Sequence, residues 1–247
     1  MHNDFLNRLA VVTGASSGIG LAVTRQLLEQ GARVLSMSRQ VGALAELAEG
    51  FDGQLTWVAG DVTRTEDLAR LAQRAKDLGL VDFVVPNAGI AQLADGLDVS
   101  AFDRQWAVNG AGALNTLACL RTHLAESASV VFIGTFLAGV TFPGLAAYIA
   151  SKTALIAHAR TLAVELAPFA IRINTVSPGP TATPIWSTLG LADEQLGEVA
   201  SVVNQRLLDG KFLEPDAVAE VILFQLGRGA RSVFGQDWVV DSGYTLR

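Results

Sequence analysis

Residues 11–39, VVTGASSGIGLAVTRQLLEQGARVLSMSR, pass from an apolar β-branched run through three glycines into an apolar pattern of helical period, and leave through a second apolar run. That succession reads as strand, tight turn, helix and strand, the βαβ unit of a parallel sheet. Gly14, Gly18 and Gly20 let the backbone turn sharply at the strand exit and come close to a pyrophosphate, whose charge then meets the free N–H groups at the helix N-terminus. Ser16 and Ser17 add hydroxyl donors, and Ile19 lies in the same turn. Glycines also serve tight turns with no ligand, but the βαβ context favours a dinucleotide. At the end of the second strand, where a carboxylate would accept the ribose 2′-OH of NAD, stand Ser38 and Arg39. A guanidinium can pair bidentately with a 2′-phosphate, which favours NADP(H) over NAD(H). The alternative is a solvated arginine at a strand end.

The same alternation continues along the chain. Apolar strands are expected near 8–13, 32–37, 55–58, 82–86, 129–134, 170–176 and 237–241, with helices near 18–30, 41–49, 65–78, 100–126, 147–167 and 215–227. Right-handed crossovers then give an α/β, doubly wound Rossmann fold, a seven-stranded parallel sheet with helices on both faces and its ligand beyond the carboxyl ends of the strands. One domain over 1–247 is the simplest division. The least regular part, 180–213, is expected to be a helical lid over the substrate.

The chain has 247 residues, half of them hydrophobic and 17% charged, enough to bury a large core. A net charge of −6 without any Lys/Arg run argues against nucleic acid as a partner. Cys119 is the single cysteine, which excludes an intrachain disulfide, and no signal segment is evident, so a cytoplasmic protein is expected. His2, His123 and His158 lack ligand spacing and no metal is expected. Residues 127–151 carry no charge and are long enough for a membrane span. Gly134, Gly139, Pro143 and Gly144 interrupt them, and the burst SVVFIG is a strand signal, so the reading is soluble core rather than membrane.

That uncharged stretch holds Thr135 and Tyr148 and leads into Lys152. At i and i+4 on a helix, Tyr148 and Lys152 share a face, so the ammonium can favour the phenolate and bring the phenol from about 10 toward working pH as a general acid or base. An isolated Tyr-x-x-x-Lys is an ordinary helix surface; its weight comes from the company it keeps. TGASSGIG, GDV at Asp61 and Val62, NAG at Asn87, Ala88 and Gly89, Asn109 in AVNGAG, Tyr148-x-x-x-Lys152, SPGPTAT over 177–183 and the ending GQDWVVDSGYTL occur in that order. Over nearly its whole length the chain resembles the short-chain dehydrogenase/reductases of the compact, single-domain kind.

The resemblance implies that Asp61 and Val62 flank the adenine, that Asn87, Ala88 and Gly89 line the cofactor groove, and that Pro178, Gly179, Thr181 and Thr183 border the nicotinamide. It makes Tyr148 the proton donor, gives Lys152 the nicotinamide ribose, and has Asn109 support a water that relays protons to the lysine. Thr135 stands where the family usually has serine; it keeps the hydroxyl that would hold a carbonyl oxygen, but its methyl takes pocket space. The expected activity is NADP(H)-dependent interconversion of a ketone and a secondary alcohol. Phe136, Leu137, Val140, Phe142, Trp186 and Leu189 would form an apolar wall for a neutral substrate, although such residues serve equally as core or subunit contact. A rival reading is a dinucleotide-binding sensor or scaffold without turnover; an epimerase or dehydratase would need a larger substrate domain. The apolar helices LNTLACLRTHLA and YIASKTALIAHARTLAVELA, with the family's habit, point to a homo-oligomer, most simply a tetramer.

Overall fold

The computed structural model describes residues 4–247. Seven strands run parallel in the order β3-β2-β1-β4-β5-β6-β7: β1 Leu9–Thr13, β2 Arg33–Ser38, β3 Leu55–Ala59, β4 Val81–Pro86, β5 Leu124–Ile133, β6 Arg172–Pro178 and β7 Asp237–Val240. The chain winds outward from β1 to β3, then returns to place β4 on the other side of β1. The strand order therefore reverses between β1 and β4, where a crevice opens at the carboxyl ends.

The central strands are continuous apolar runs because both faces are covered. Along β1, Val11 and Val12 point to opposite sides and enter two different cores. On one side, helices α1 (Gly18–Glu29) and α8 (Pro215–Leu226) pack Val23, Leu27, Ile222 and Leu223 onto Val12, Phe83 and Val131. On the other, α3 (Thr65–Leu78), α5 (Ala113–Leu120) and α6 (Ala146–Leu166) pack Leu71, Leu117 and Leu155 onto Val11, Val84, Phe132 and Ile173. Helices α2 (Leu44–Glu49), α4 (Val99–Trp106) and α7 (Asp193–Arg206) complete the set.

Two sequence expectations are corrected by tertiary structure. The helix near 100–126 is α4, a π turn over Ala107–Gly112, α5 and a 3-10 turn at Arg121–His123; from Leu124 the chain already pairs with Val81 as β5. The helix near 41–49 begins only at Leu44, because Gly42 has φ +53° and its backbone packs on the Ser16 carbonyl. The uncharged 127–151 run is, as its glycines and the SVVFIG burst led one to expect, the end of β5, a 3-10 turn at Phe136–Ala138, a loop and the start of α6. Among the described residues no helix is long and apolar enough to cross a membrane, and no group of His, Cys, Asp and Glu could hold a metal ion; His2 lies outside the described residues.

Candidate active site

A cavity of about 770 Å³ lies at the carboxyl ends of the strands and extends from Arg39 at one end to Trp186 at the other. Its centre is the glycine turn. Gly14 has φ +66° and a Cβ there would sit 2.8 Å from Ala88 Cα; Gly18 has φ +55° and a Cβ would sit 3.0 Å from Thr183. Neither backbone conformation nor space admits a side chain, so the main chain itself forms the cavity wall. Asn87 donates from Nδ2 to the carbonyls of Thr13 and Gly14, at 3.0 and 3.1 Å, and joins the ends of β4 and β1. Ser16, Ser17, Ile19, Ala88 and Gly89 line the cavity, whereas Gly20 is buried behind the turn.

At the Arg39 end, Ser38 lines the cavity with its hydroxyl engaged on the protein. Its hydroxyl donates to the Gln40 carbonyl at 2.7 Å and accepts from Trp57 Nε1 at 3.0 Å. Arg39 is exposed and, among the described residues, its guanidinium has no hydrogen bond or ion pair. Asp61 lines the wall with Val62, and its Oδ1 accepts from the Thr63 N–H and hydroxyl at 2.9 and 2.8 Å.

At the other end, β5 delivers Thr135 and the first two turns of α6 deliver Tyr148 and Lys152. Thr135 Oγ1 accepts from the Leu137 N–H at 3.3 Å, which leaves its proton free to be donated. Lys152 is 3% exposed; Nζ donates to the Ile133 carbonyl at 2.8 Å, and no carboxylate pairs with it among the described residues. Burial alone pulls its pKa down to about 8. Burial also pushes the Tyr148 phenol above its ordinary value, with the Thr135 side chain pulling the other way. The Lys152 ammonium is engaged by the Ile133 carbonyl, and the polar neighbour that acts on the phenol is Thr135.

Asn109 does not line the cavity. It sits fully buried in the π turn, where Oδ1 accepts from the Ile90 N–H at 2.9 Å and Nδ2 donates to the Ile90 carbonyl at 3.0 Å and to Ser151 Oγ at 3.1 Å. Ser151 in turn donates to the Tyr148 carbonyl at 2.7 Å. Two neighbours of Ile90 are held in the same manner. Thr188 Oγ1 accepts from the Ala91 N–H at 3.2 Å and shares its one proton between the Ala91 and Ile185 carbonyls, both at 2.7 Å. Gln105 accepts from the Gln92 N–H and donates to the Gln92 carbonyl, both at 3.1 Å. Three consecutive residues thus have both backbone groups clasped by one side chain each.

Pro178, Gly179, Thr181 and Thr183 border the cavity, with Thr181 spending its hydroxyl proton on the Gly179 carbonyl at 2.9 Å. Phe136, Leu137, Phe142, Trp186 and Leu189 form an apolar wall. Val140 is not part of it; it packs against neighbouring apolar clusters instead. Sequence reading passed over Ser151, Thr188, Gln105 and Tyr244. Tyr244 lines the cavity and is 4% exposed; its ring meets Phe136 edge-on at 4.9 Å, and the Arg206 guanidinium lies 4.3 Å from its centroid.

A family model described as enoyl-(acyl carrier protein) reductase matches residues 14–245. The chain belongs to the short-chain dehydrogenase/reductase family. Among its curated relatives, this dehydrogenase/reductase is 33% identical to cis-4-hydroxycyclohexanecarboxylate dehydrogenase of Sinomonas cyclohexanicum, over 99% of both chains. It is 32% identical to carbonyl reductase [NADPH] 2 of Sus scrofa, again over 99% of both. Among solved structures it resembles L-sorbose reductase from Gluconobacter frateurii complexed with NADPH and L-sorbose, with a TM-score of 0.90, 25% identity and full coverage of both chains. The relatives are oxidoreductases, some of them acting on ketones or secondary alcohols.

Proposed function

We propose that this short-chain dehydrogenase/reductase interconverts a neutral, fairly apolar ketone and its secondary alcohol with NADP(H) as the preferred dinucleotide. The observation that carries the reading is the juxtaposition, on one cavity, of a glycine-walled cradle, an unpaired Arg39 at one end and the Thr135, Tyr148 and Lys152 set at the other. The residues fit a dinucleotide: the backbone at Gly14 and Gly18 with Ser16 and Ser17 suits a pyrophosphate, Arg39 a 2′-phosphate, and Asp61 and Val62 the adenosine side. Asn87, Ala88, Gly89, Pro178, Gly179, Thr181 and Thr183 would hold the nicotinamide half, with Lys152 on its ribose. When bound, the cofactor supplies or takes up the hydride. The NADPH in the names of two relatives supports this choice.

The chain's own residues supply orientation and a proton. Thr135 donates its free O–H to the ketone oxygen and holds the carbonyl in reach. Tyr148, kept protonated by burial, delivers its proton to that oxygen as negative charge develops. The phenolate left behind lies in a site whose buried cation, Lys152, has no carboxylate to satisfy it among the described residues, so the ammonium stabilises the charge as it forms. Asn109 and Ser151 fix the backbone on both sides, at Ile90 and Tyr148. The 180–213 segment, with its 3-10 turn at Pro184–Leu189 and α7, serves as the lid. Exposed Val164 and Phe169 on one side, and Phe224 and Val239 on another, suit the two contact faces of a homotetramer.

The test is loss of NADPH absorbance over a panel of neutral ketones, with Tyr148→Phe beside the wild type. Turnover that falls by more than about a thousandfold in the variant, with cofactor affinity nearly kept, is the expected result for a lost proton donor. Tight NADPH binding with no turnover on any ketone would favour a sensor.

A further inference from the structure

The lid-side half of the cavity is lined by few polar side chains, and nearly all of them are spent on the protein. Trp186 Nε1 donates to the Thr181 carbonyl at 2.8 Å and Ser187 Oγ to the Pro184 carbonyl at 2.7 Å. Thr188 is taken by Ala91 and Thr181 by Gly179. Two hydroxyls are the exceptions: that of Thr183, which borders the nicotinamide end, and that of Tyr244. Tyr244 is 4% exposed and lines the cavity, yet among the described residues its hydroxyl has no hydrogen-bond partner. Its oxygen is not among the fully enclosed polar atoms that lack a partner, so it stays reachable by whatever fills the cavity.

Its ring is held firmly. Phe136 meets it edge-on, Arg206 covers it, and the backbone on either side is fixed by Asp241, whose carboxylate accepts from the Gly243 N–H, the Thr245 N–H and the Thr245 hydroxyl at 3.0, 2.9 and 2.7 Å. Gly243 supplies the left-handed turn, with φ +72°, that places Tyr244 against the cavity. Arg206 also donates to the Arg247 carbonyl, so the guanidinium stays on the ring rather than entering the cavity, which it does not line. A fixed donor with no internal partner, on an otherwise apolar wall, suits a neutral acceptor on whatever fills the space; it offers no cation to a carboxylate or phosphate.

We propose that Tyr244 forms a second polar subsite, and that the preferred substrate is a ketone or secondary alcohol bearing a further uncharged oxygen, a hydroxyl, ether or carbonyl, bound by the Tyr244 phenol while the reacting oxygen sits at Thr135 and Tyr148. The inference rests on reading the cavity as a ketone site, and the test separates the two. Six- to eight-carbon 2-alkanones are compared with counterparts that carry a hydroxyl or methoxy group two to five carbons from the carbonyl. Each result is expressed as the ratio of kcat/KM for the oxygenated and plain ketone within one variant, which cancels general effects on turnover. In the wild type at least one placement of the oxygen raises the ratio about threefold to tenfold, the worth of one neutral hydrogen bond. Tyr244→Phe, which keeps the ring contacts with Phe136 and Arg206, returns that ratio to near that of the unassisted pair. A ratio unchanged by Tyr244→Phe overturns the subsite. If the wild type reduces none of these ketones, the catalytic reading has failed, and the same pairs are titrated into the NADPH-bound protein by calorimetry: a preference for the oxygenated member that Tyr244→Phe removes upholds the subsite, and equal affinities overturn it.

Discussion

The Thr188 hydroxyl accepts from the backbone N–H of Ala91 and donates to the carbonyl of the same residue. One side chain from the segment after β6 therefore closes the backbone that leaves β4, and the cavity wall at Ala91 and the wall at Thr188 move as one. Thr188→Val removes both bonds and leaves the Ala91 groups to water, a local cost of about 1–3 kcal/mol. The expected outcome is a several-fold rise in ketone KM with a smaller change in kcat, together with faster proteolysis within 184–206. Thr188→Ser should restore both. Wild-type KM and protease resistance in the valine variant would show that the contact is idle.

Among the described residues Arg39 has no partner to give up when a phosphate arrives, so its pairing energy goes into ligand affinity. Arg39→Ala should weaken NADPH by about 1.5–3 kcal/mol and leave NADH nearly unchanged. Ser38→Asp with Arg39→Ala should turn preference toward NADH, since the new carboxylate can accept from a ribose 2′-OH and from Trp57 Nε1, which now bonds Ser38. Fluorescence titration of both cofactors decides it; equal wild-type affinities would contradict the role of Arg39.

What could be read in the sequence is what local chemistry enforces. The run at 9–13 is apolar on every residue because both its faces are buried, and Gly14 and Gly18 stand where no Cβ fits. Tyr148 and Lys152 are legible because helical spacing fixes their shared face. The clasp at 90–92 was not legible: its side chains come from 105, 109 and 188, residue types common on any surface, and only the fold gathers them. Val140 and Phe142 have the same apolar character in sequence, and only packing sends Phe142 to the cavity and Val140 elsewhere. Tyr244 lay in an ending that was read as a family feature, with nothing local to show that its hydroxyl would be left without a partner.

Thr135 spends a lone pair on the Leu137 N–H and keeps its proton for the substrate. Thr135→Val holds the shape and removes that proton, so kcat/KM should fall tenfold or more, on the order of 1.5–3 kcal/mol of stabilisation where charge develops, while NADPH affinity is kept. Thr135→Ser should remain active and accept bulkier ketones. Equal activity of the threonine and valine enzymes would falsify the orienting role, and activity in the serine form alone would mean that the threonine has silenced the site.

Lys152 gives the cofactor-free protein a pH signature. Its folded pKa, about 8, lies below the ordinary 10.5, so between these values the unfolded chain binds more protons than the folded one and stability rises with pH. Cys119, pushed up to about 11, and Tyr148, also raised, act in the opposite sense as pH nears their ordinary values of 9 and 10, so Cys119 offsets a minor part of the gain by pH 9 and the step from pH 8 to 9 is where Lys152 dominates. Urea unfolding without cofactor should show a gain of about 1 kcal/mol from pH 8 to 9. Lys152→Met should flatten that gain; an unchanged slope would remove the buried ammonium as its source.

The π turn at Ala107–Gly112 sets α4 and α5 apart by one surplus residue in an otherwise continuous helix. The Trp106 ring fills the place that a side chain at Gly110 would need, which keeps the widened turn from being overwritten by substitution there. A helix that absorbs one extra residue in a single bulge keeps both of its flanks in phase, so the loss of one codon in this hexamer would regularise the helix without rotating the faces that α4 and α5 present to the core. Asn109 would lose its grip on Ile90 and Ser151 while the scaffold endured. The support of the site thus hangs on the one surplus residue that widens this turn.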